Sequence, residues 1–159
     1  MKNKIQKTNA LRILDRLKIT YEALVHDTND GKNDGVSVAI KCGKNPKNVH
    51  KTLVAQSNSK SIYVFIIPAS NELNLKKAAA ATGEKKIEMI PEKQLLPLTG
   101  YIKGGCSPIG MKKTYPTFLN AGLAPNDKII VSGGKLEMKI ELTVEDLLKA
   151  TAAATAVIV

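Results

Sequence analysis

At 159 residues with 43% hydrophobic content, the chain fits one domain with a single sizeable core. Mean hydropathy is −0.10 and the longest strongly apolar run, residues 62–67, is far too short to cross a bilayer, so no membrane partner is expected. A net charge of +10 points to a polyanionic partner such as nucleic acid, while 4% aromatic content argues against a platform that stacks many bases.

Elements of both types alternate along the chain. The N-terminal Met1-Lys2-Asn3-Lys4-Ile5 has charge but no apolar run behind it, so no secretory signal is read. Residues 8–17 place Leu11, Leu14 and Leu17 on one helical face with Arg12, Asp15 and Arg16 outside, which predicts an amphipathic helix. Residues 21–26 read as a strand, and the polar stretch 27–35 as a loop expected to be mobile. Residues 36–42 predict a short helix stopped by Gly43, with a turn at Asn45-Pro46. Residues 50–56 and 61–67 read as paired strands around the turn at 57–60. Asn74 caps a helix over 75–81 that ends at Gly83. Residues 128–132 and 138–142 read as strands joined across Gly133-Gly134. Thr143, with Asp146 three residues on, makes a capping box for a last helix over 144–149. The tail, 151–159, is small and apolar, and its composition leaves fraying and packing both open. The class is α+β (mixed α/β), a single domain over residues 1–159.

The chemical inventory is sparse. Cys42 and Cys106 cannot build a disulfide framework, which suits a reduced cytoplasm. His26 and His50 are the only histidines, and no metal-ligand spacing is visible; neither a metal nor a cofactor is expected. His26 with Asp27, or Cys106 with His50, are the conceivable dyads, but nothing in the sequence orients a third member. The richest segment runs Thr99-Gly100-Tyr101-Ile102-Lys103-Gly104-Gly105-Cys106-Ser107-Pro108-Ile109-Gly110-Met111-Lys112-Lys113. Glycines let backbone N–H groups approach an anion, and lysines beside them hold phosphate as point charges. Read alone, such a Gly/Pro-rich segment is more often a structural turn than an active site. It matches neither the P-loop nor the dinucleotide fingerprint, and Pro108 after Ser107 is wrong for a nucleophile elbow.

Five co-linear segments carry a resemblance. Val49-x-Lys51-Thr52-Leu53, Leu73-Asn74-Leu75-Lys76-Lys77, the glycine segment from Thr99 to Lys113, Val131-Ser132-Gly133-Gly134-Lys135 and Ile140-Glu141-Leu142 together resemble the YbaK/EbsC-type aminoacyl-tRNA deacylases. The resemblance spans about residues 8–149. It implies a YbaK-like fold, a mixed, mostly antiparallel sheet flanked by helices. It also implies a cytoplasmic enzyme that hydrolyses mischarged tRNA, Cys-tRNA(Pro) first, at the acceptor end and in trans to prolyl-tRNA synthetase, a transient partner of a monomer. Ala-tRNA(Pro) deacylation using water, and a non-catalytic tRNA- or synthetase-binding module, stay open as alternatives. The implied catalytic residues are Lys51, Gly104 and Ser132. The implied substrate-binding residues are Thr52, Gly105, Cys106, Ser107, Pro108, Lys112 and Lys113. In the implied mechanism the substrate's own cysteine thiolate attacks its ester carbonyl, while N–H groups from Gly104 to Ser107 face the oxyanion. Two positions depart from the family pattern: a tyrosine is Leu24 here, and an aspartate is Lys139 here.

Overall fold

Thr8 starts the first helix, where its Oγ1 accepts the Leu11 N–H at 3.3 Å. Helix α1 (Asn9–Arg16) buries Ala10, Leu11 and Leu14, the apolar stripe that the periodicity predicts. The computed structural model describes residues 6–159, so the charged stretch at residues 1–5 lies outside the described residues. Strand β1 (Glu22–Val25) follows, then α2 (Gly35–Cys42), a 3-10 turn (Pro46–Asn48) and the hairpin of β2 (His50–Ser57) and β3 (Ile62–Pro68). Asn74 caps α3 (Leu75–Thr82), its Oδ1 accepting the Lys77 N–H at 3.0 Å. Strand β4 (Ile87–Met89), α4 (Leu95–Thr99), β5 (Thr117–Asn120), β6 (Lys128–Lys135), β7 (Met138–Thr143), α5 (Val144–Thr151) and β8 (Ala154–Ala156) complete the chain.

The strands form two sheets where one was expected. One has the order β1-β7-β6, all antiparallel; the other has the order β4-β2-β3-β5-β8, with β5 parallel to β3 and to β8. Alternation along the strands sets the layers. Ile66 and Leu119 of the larger sheet meet Ile129, Val131, Ile140 and Leu142 of the smaller one, together with α1 and α5, in the main core. Phe65 and Ile67 face the other way, onto α3. Strand β3 is thus buried on both faces, the physical reason its sequence reads as one apolar run.

Four expectations change. The loop at 27–35 is tied down: Lys41 Nζ donates to the carbonyls of Asp27 (2.7 Å) and Lys32 (2.8 Å) and to Asp30 Oδ1 (2.8 Å). Gly133 and Gly134 do not form the turn between strands. Both lie inside β6, at a register irregularity between Ser132 and Lys135. A Cβ on Gly133 would sit 2.7 Å from Met138 Cγ, so glycine is there because β7 packs against it. Strands β4 and β5 and helix α4 have no counterpart in the sequence reading; at three to five residues they are too short to establish a period, and Pro97 interrupts α4. The tail packs: β8 pairs with β5, and Ile158 is fully buried in the α3 cluster with its N–H on Asn120 Oδ1 at 3.1 Å.

Truncating Ile158 to alanine should therefore lower unfolding stability by about 2–4 kcal/mol, the usual cost of a cavity at a fully buried aliphatic site. Urea unfolding followed by circular dichroism measures it, and a change below 0.5 kcal/mol would mean that the tail is not part of the core.

Candidate functional site

Besides their side-chain packing in the main core, the two sheets are joined among the described residues by one isolated backbone bridge, a parallel pairing of Val49 with Ile130. Parallel register carries Lys51 alongside Ser132, each two residues further on. The strands do not continue the pairing, and they diverge around a cleft of about 330 Å³. Strand β4 covers β2 only from Ala55 to Ser57, so the first half of β2 presents an open edge to this cleft. That edge-on approach is why residues 49–53 all line it although alternate side chains point to opposite faces.

Of the sequence-predicted residues, Lys51, Thr52, Gly104, Cys106 and Ser132 line the cleft. Gly105 lies just behind: a Cβ there would meet the Lys135 and Leu136 backbone at 3.1–3.2 Å, so only glycine lets the loop reach β6. Gly104 has φ +83 and a close approach to Leu136, again a glycine position. The remaining residues are not brought in. Ser107 is fully buried, and its Oγ accepts the Ile109 N–H at 3.2 Å as a brace within the loop. Pro108 and Lys113 line a separate cavity of about 170 Å³ beside Met111 and Tyr115. Lys112 is exposed, its stem lies against Gly100, and its N–H ties back to the Thr99 carbonyl at 3.0 Å.

The glycine segment is rigid. Tyr101 Oη donates to the Ile109 carbonyl at 2.6 Å, and Asn9 Nδ2 donates to the Gly110 carbonyl at 3.0 Å. Thr99 Oγ1 donates to the Leu95 carbonyl at 2.7 Å and accepts the Tyr101 N–H at 3.0 Å. The Gly105 N–H is taken by the Ile102 carbonyl at 3.0 Å, so it does not face an oxyanion as the sequence reading has it. Among the described residues, the N–H groups of Gly104 and Cys106 meet no acceptor.

No protein nucleophile is activated. Burial pushes the Cys106 thiol up to about 11, and no hydrogen bond joins it to His50. Ser132 Oγ accepts the Gly134 N–H at 3.3 Å and, among the described residues, makes no hydrogen bond to a basic side chain. His26 contacts Asp27 through the backbone carbonyl at 3.3 Å, not through the carboxylate, so that pair is not a dyad. Among the described residues no three of His, Cys, Asp and Glu lie close enough together to hold a metal ion.

Asn33, His50, Lys103 and Lys139 line the cleft but are not among the site residues that the resemblance implies, whereas Thr52 is. Asn33 Oδ1, His50 Nε2 and Thr52 Oγ1 are buried without a hydrogen-bond partner among the described residues, and all three residues line the cleft. His50 Nδ1 lies 2.8 Å from the Asn48 carbonyl, which assigns the proton to Nδ1 and leaves the lone pair on Nε2. Lys103 and Lys139 also line the cleft. Its single carboxylate, Asp34, is occupied as the α2 cap by the Ser37 N–H (3.2 Å) and Oγ (2.6 Å). The cleft is therefore cationic. The two departures prove to be neighbours, because Leu24, Lys139 and Ser132 form one row across the smaller sheet. Only the pairing register reveals that adjacency.

Three comparisons bear on this arrangement. Residues 34–150 match the family model of the aminoacyl-tRNA editing domain. A relative from Enterococcus faecalis, named as the Cys-tRNA(Pro)/Cys-tRNA(Cys) deacylase EbsC, is 44% identical over 146 residues, 92% of this chain and 89% of that protein. Among solved structures, a trans-editing enzyme for prolyl-tRNA synthetase superposes with a TM-score of 0.81 at 22% identity, covering 97% of this chain and 98% of the other. The hypothetical protein APE2540 superposes with a TM-score of 0.85 at 20% identity, covering 95% and 99%. The two structures establish the fold.

Burial holds both histidine rings below their ordinary pKa, with carbonyl contacts from Asn48 and Asp27 opposing the shift; Lys139 and Lys41 add to it at His26. An unfolded chain takes up these protons near pH ~6.5 and the folded one resists them, so stability is full above that value and falls as pH drops through it. Urea midpoints measured between pH 7.5 and 5.5 should decrease, and His50→Gln should flatten the decrease. An unchanged slope in that variant would mean that His50 is protonated freely in the fold.

Proposed function

Because the chain belongs to the aminoacyl-tRNA editing domain family, we propose that it deacylates cysteinyl-tRNA, with tRNA(Pro) as the first candidate, through attack by the substrate's own thiol. The observation that carries this reading is a cationic cleft joining Lys51, Gly104 and Ser132 from three distant segments without any nucleophile–base pair. Such a site cannot attack an amide unaided, but an aminoacyl ester is already activated and needs chiefly positioning and electrostatic stabilisation. The thiol in this reading is supplied by the substrate, since burial pushes the Cys106 thiol up to about 11 and disfavours it as the nucleophile.

Lys51 makes no ion pair or hydrogen bond among the described residues, and in this reading its charge is reserved for phosphate or for the terminal adenosine. The free N–H groups of Gly104 and Cys106 take the ester oxyanion. Thr52 Oγ1, His50 Nε2 and Asn33 Oδ1 supply the hydrogen-bonding capacity that a ribose or an α-amino group would use. Requiring a thiol in the chemical step adds selectivity that fit cannot, since one methylene in a pocket discriminates by only about 10–200-fold. Action in trans to prolyl-tRNA synthetase, as a monomer in the cytoplasm, belongs to the same reading. No helix among the described residues is long and apolar enough to cross a membrane.

A panel of Cys-, Ala-, Ser- and Pro-charged tRNA(Pro) tests the proposal, with Cys-tRNA expected to be cleared fastest. Lys51→Ala should lower kcat/KM on the order of 10²-fold with the fold intact by circular dichroism. Wild-type turnover in that variant would remove Lys51 from the site.

Exposed Lys103 at the rim, with Lys112 and Lys113 further along the loop, would extend the positive field toward acceptor-stem phosphates. Binding should fall steeply with salt as counterions are released. A Lys112→Ala/Lys113→Ala double variant should flatten the slope by about one unit per lost phosphate contact, while the rate at saturating tRNA changes little. Identical KCl dependence of single-turnover deacylation would make these two lysines solvated surface only.

A further inference from the structure

We propose that Lys139 is the cation that meets the substrate's thiolate, and thereby the residue that makes the cleft selective for a thiol-bearing aminoacyl group. The proposal rests on the thiol-assisted deacylase reading and adds to it the group that stabilises the thiolate.

Placement comes first. Lys139 pairs directly with Ser132 on one side and with Leu24 on the other, so the three side chains share the sheet face that borders the cleft. Direct cross-strand neighbours stand with Cβ atoms about 4.5–5.5 Å apart, which puts the root of the lysine next to Ser132. At 9% exposure the side chain is buried, unlike Lys103 at the rim.

Charge comes second. One row away on the same sheet face, Lys44 reaches both Glu22 (3.0 Å) and Glu141 (3.1 Å), which pair with each other across the strands. Lys139 has no such counter-charge. Among the described residues, its Nζ makes one polar contact, with the Leu136 carbonyl at 3.4 Å. The titratable groups around it are Cys42 on α2, Glu137 in the β6–β7 turn and His26 after β1; none of them forms a hydrogen bond or ion pair with it. Across the cleft stand Lys51, Lys103 and the already occupied Asp34. A buried cation without a partner costs stability unless an anion arrives to meet it.

The chemistry fits a thiol. Burial lowers the Lys139 pKa from its ordinary value, the cost of holding an ammonium without a paired anion. The substrate's thiol gives up its proton to water, and the Lys139 ammonium pairs with the thiolate that results. The thiolate sulfur attacks the ester carbonyl, a C–S bond forms, and the C–O bond to the ribose breaks. The departing ribose oxygen takes a proton from water, and water later opens the cyclic thioester. Alanyl, seryl and prolyl esters carry no group acidic enough to form this pair.

Single-turnover deacylation of cysteinyl-, alanyl- and S-methylcysteinyl-tRNA(Pro) by wild type, Lys139→Met and Lys139→Arg tests the proposal. Lys139→Met should slow cysteinyl transfer on the order of 10²-fold. It should also raise the apparent pKa of the acid limb for that substrate and leave the alanyl rate within twofold, as about the same. Lys139→Arg should restore the low apparent pKa of the limb. Removing the uncompensated charge should raise Tm in the methionine variant, so the kinetic loss cannot come from unfolding. Equal losses on cysteinyl and alanyl substrates, or a change confined to KM for both, would overturn the proposal in favour of an oxyanion or a phosphate contact. Wild-type cleavage of the S-methyl substrate as fast as the cysteinyl one would instead sink the thiol-assisted reading itself.

Discussion

A single parallel backbone bridge between Val49 and Ile130 holds the two sheets in register, and the cleft exists because that bridge is not continued. Had β2 gone on pairing with β6, Lys51 and Ser132 would be ladder neighbours with no space between them. The divergence is enforced from both sides. Val49 is anchored by its carbonyl, which accepts the Ala69 N–H at 2.8 Å, and packs with Ala39 and Ile130. On β6, the irregularity after Ser132 turns the strand away, and Gly105 of the rigid loop fills the approach to Lys135 and Leu136. A small fixed wedge thus sits between two hydrophobically locked sheets.

The wedge carries an electrostatic imbalance. Two lysines nearby are matched by contrast: Lys41 closes the 27–35 loop, and Lys44 neutralises two glutamates that would otherwise repel across β1 and β7. In the cleft, three lysines face one carboxylate that is already committed to capping a helix. Three buried polar atoms there have no partner among the described residues, although almost every buried polar group in a folded protein finds one. Both features cost folding free energy and both are relieved by a bound anion with hydrogen-bonding groups. Their coincidence in one concavity is the physical signature of a ligand site.

The same economy governs the chemistry. A site without an activated serine or cysteine is poorly suited to stable amides and well suited to an ester that already carries a good leaving group. Cys106 illustrates the point: it lines the cleft, yet burial among Val54, Val64 and Tyr101 makes its thiol a packing group. What the cleft provides is positive charge and free N–H groups, both of which can favour a transition state over its ground state when negative charge develops late.

The sequence by itself determined the helices over α1, α2, α3 and α5, the β2–β3 hairpin and the family, because caps, apolar residues at helical spacing and short co-linear motifs are local in the chain. The resemblance also named Lys51, Gly104 and Ser132, three residues that the fold brings to one cleft. Helix α4 and strands β4, β5 and β8 were illegible, since elements of three to five residues draw their stability from neighbours in space and leave no period of their own. Composition alone left the tail undecided, and pairing with β5 plus the burial of Ile158 settled it. Ser107, Pro108, Lys112 and Lys113 share one stretch of sequence with the cleft residues, yet internal hydrogen bonds fold the loop back and carry them elsewhere. Conversely, Asn33, His50 and Lys139 lie in three separate segments with no motif in common, and Leu24 and Lys139 are 115 residues apart in sequence yet directly paired. Strand register and the splitting of two sheets decide such meetings, and both are set by long-range packing that no local stretch of sequence encodes.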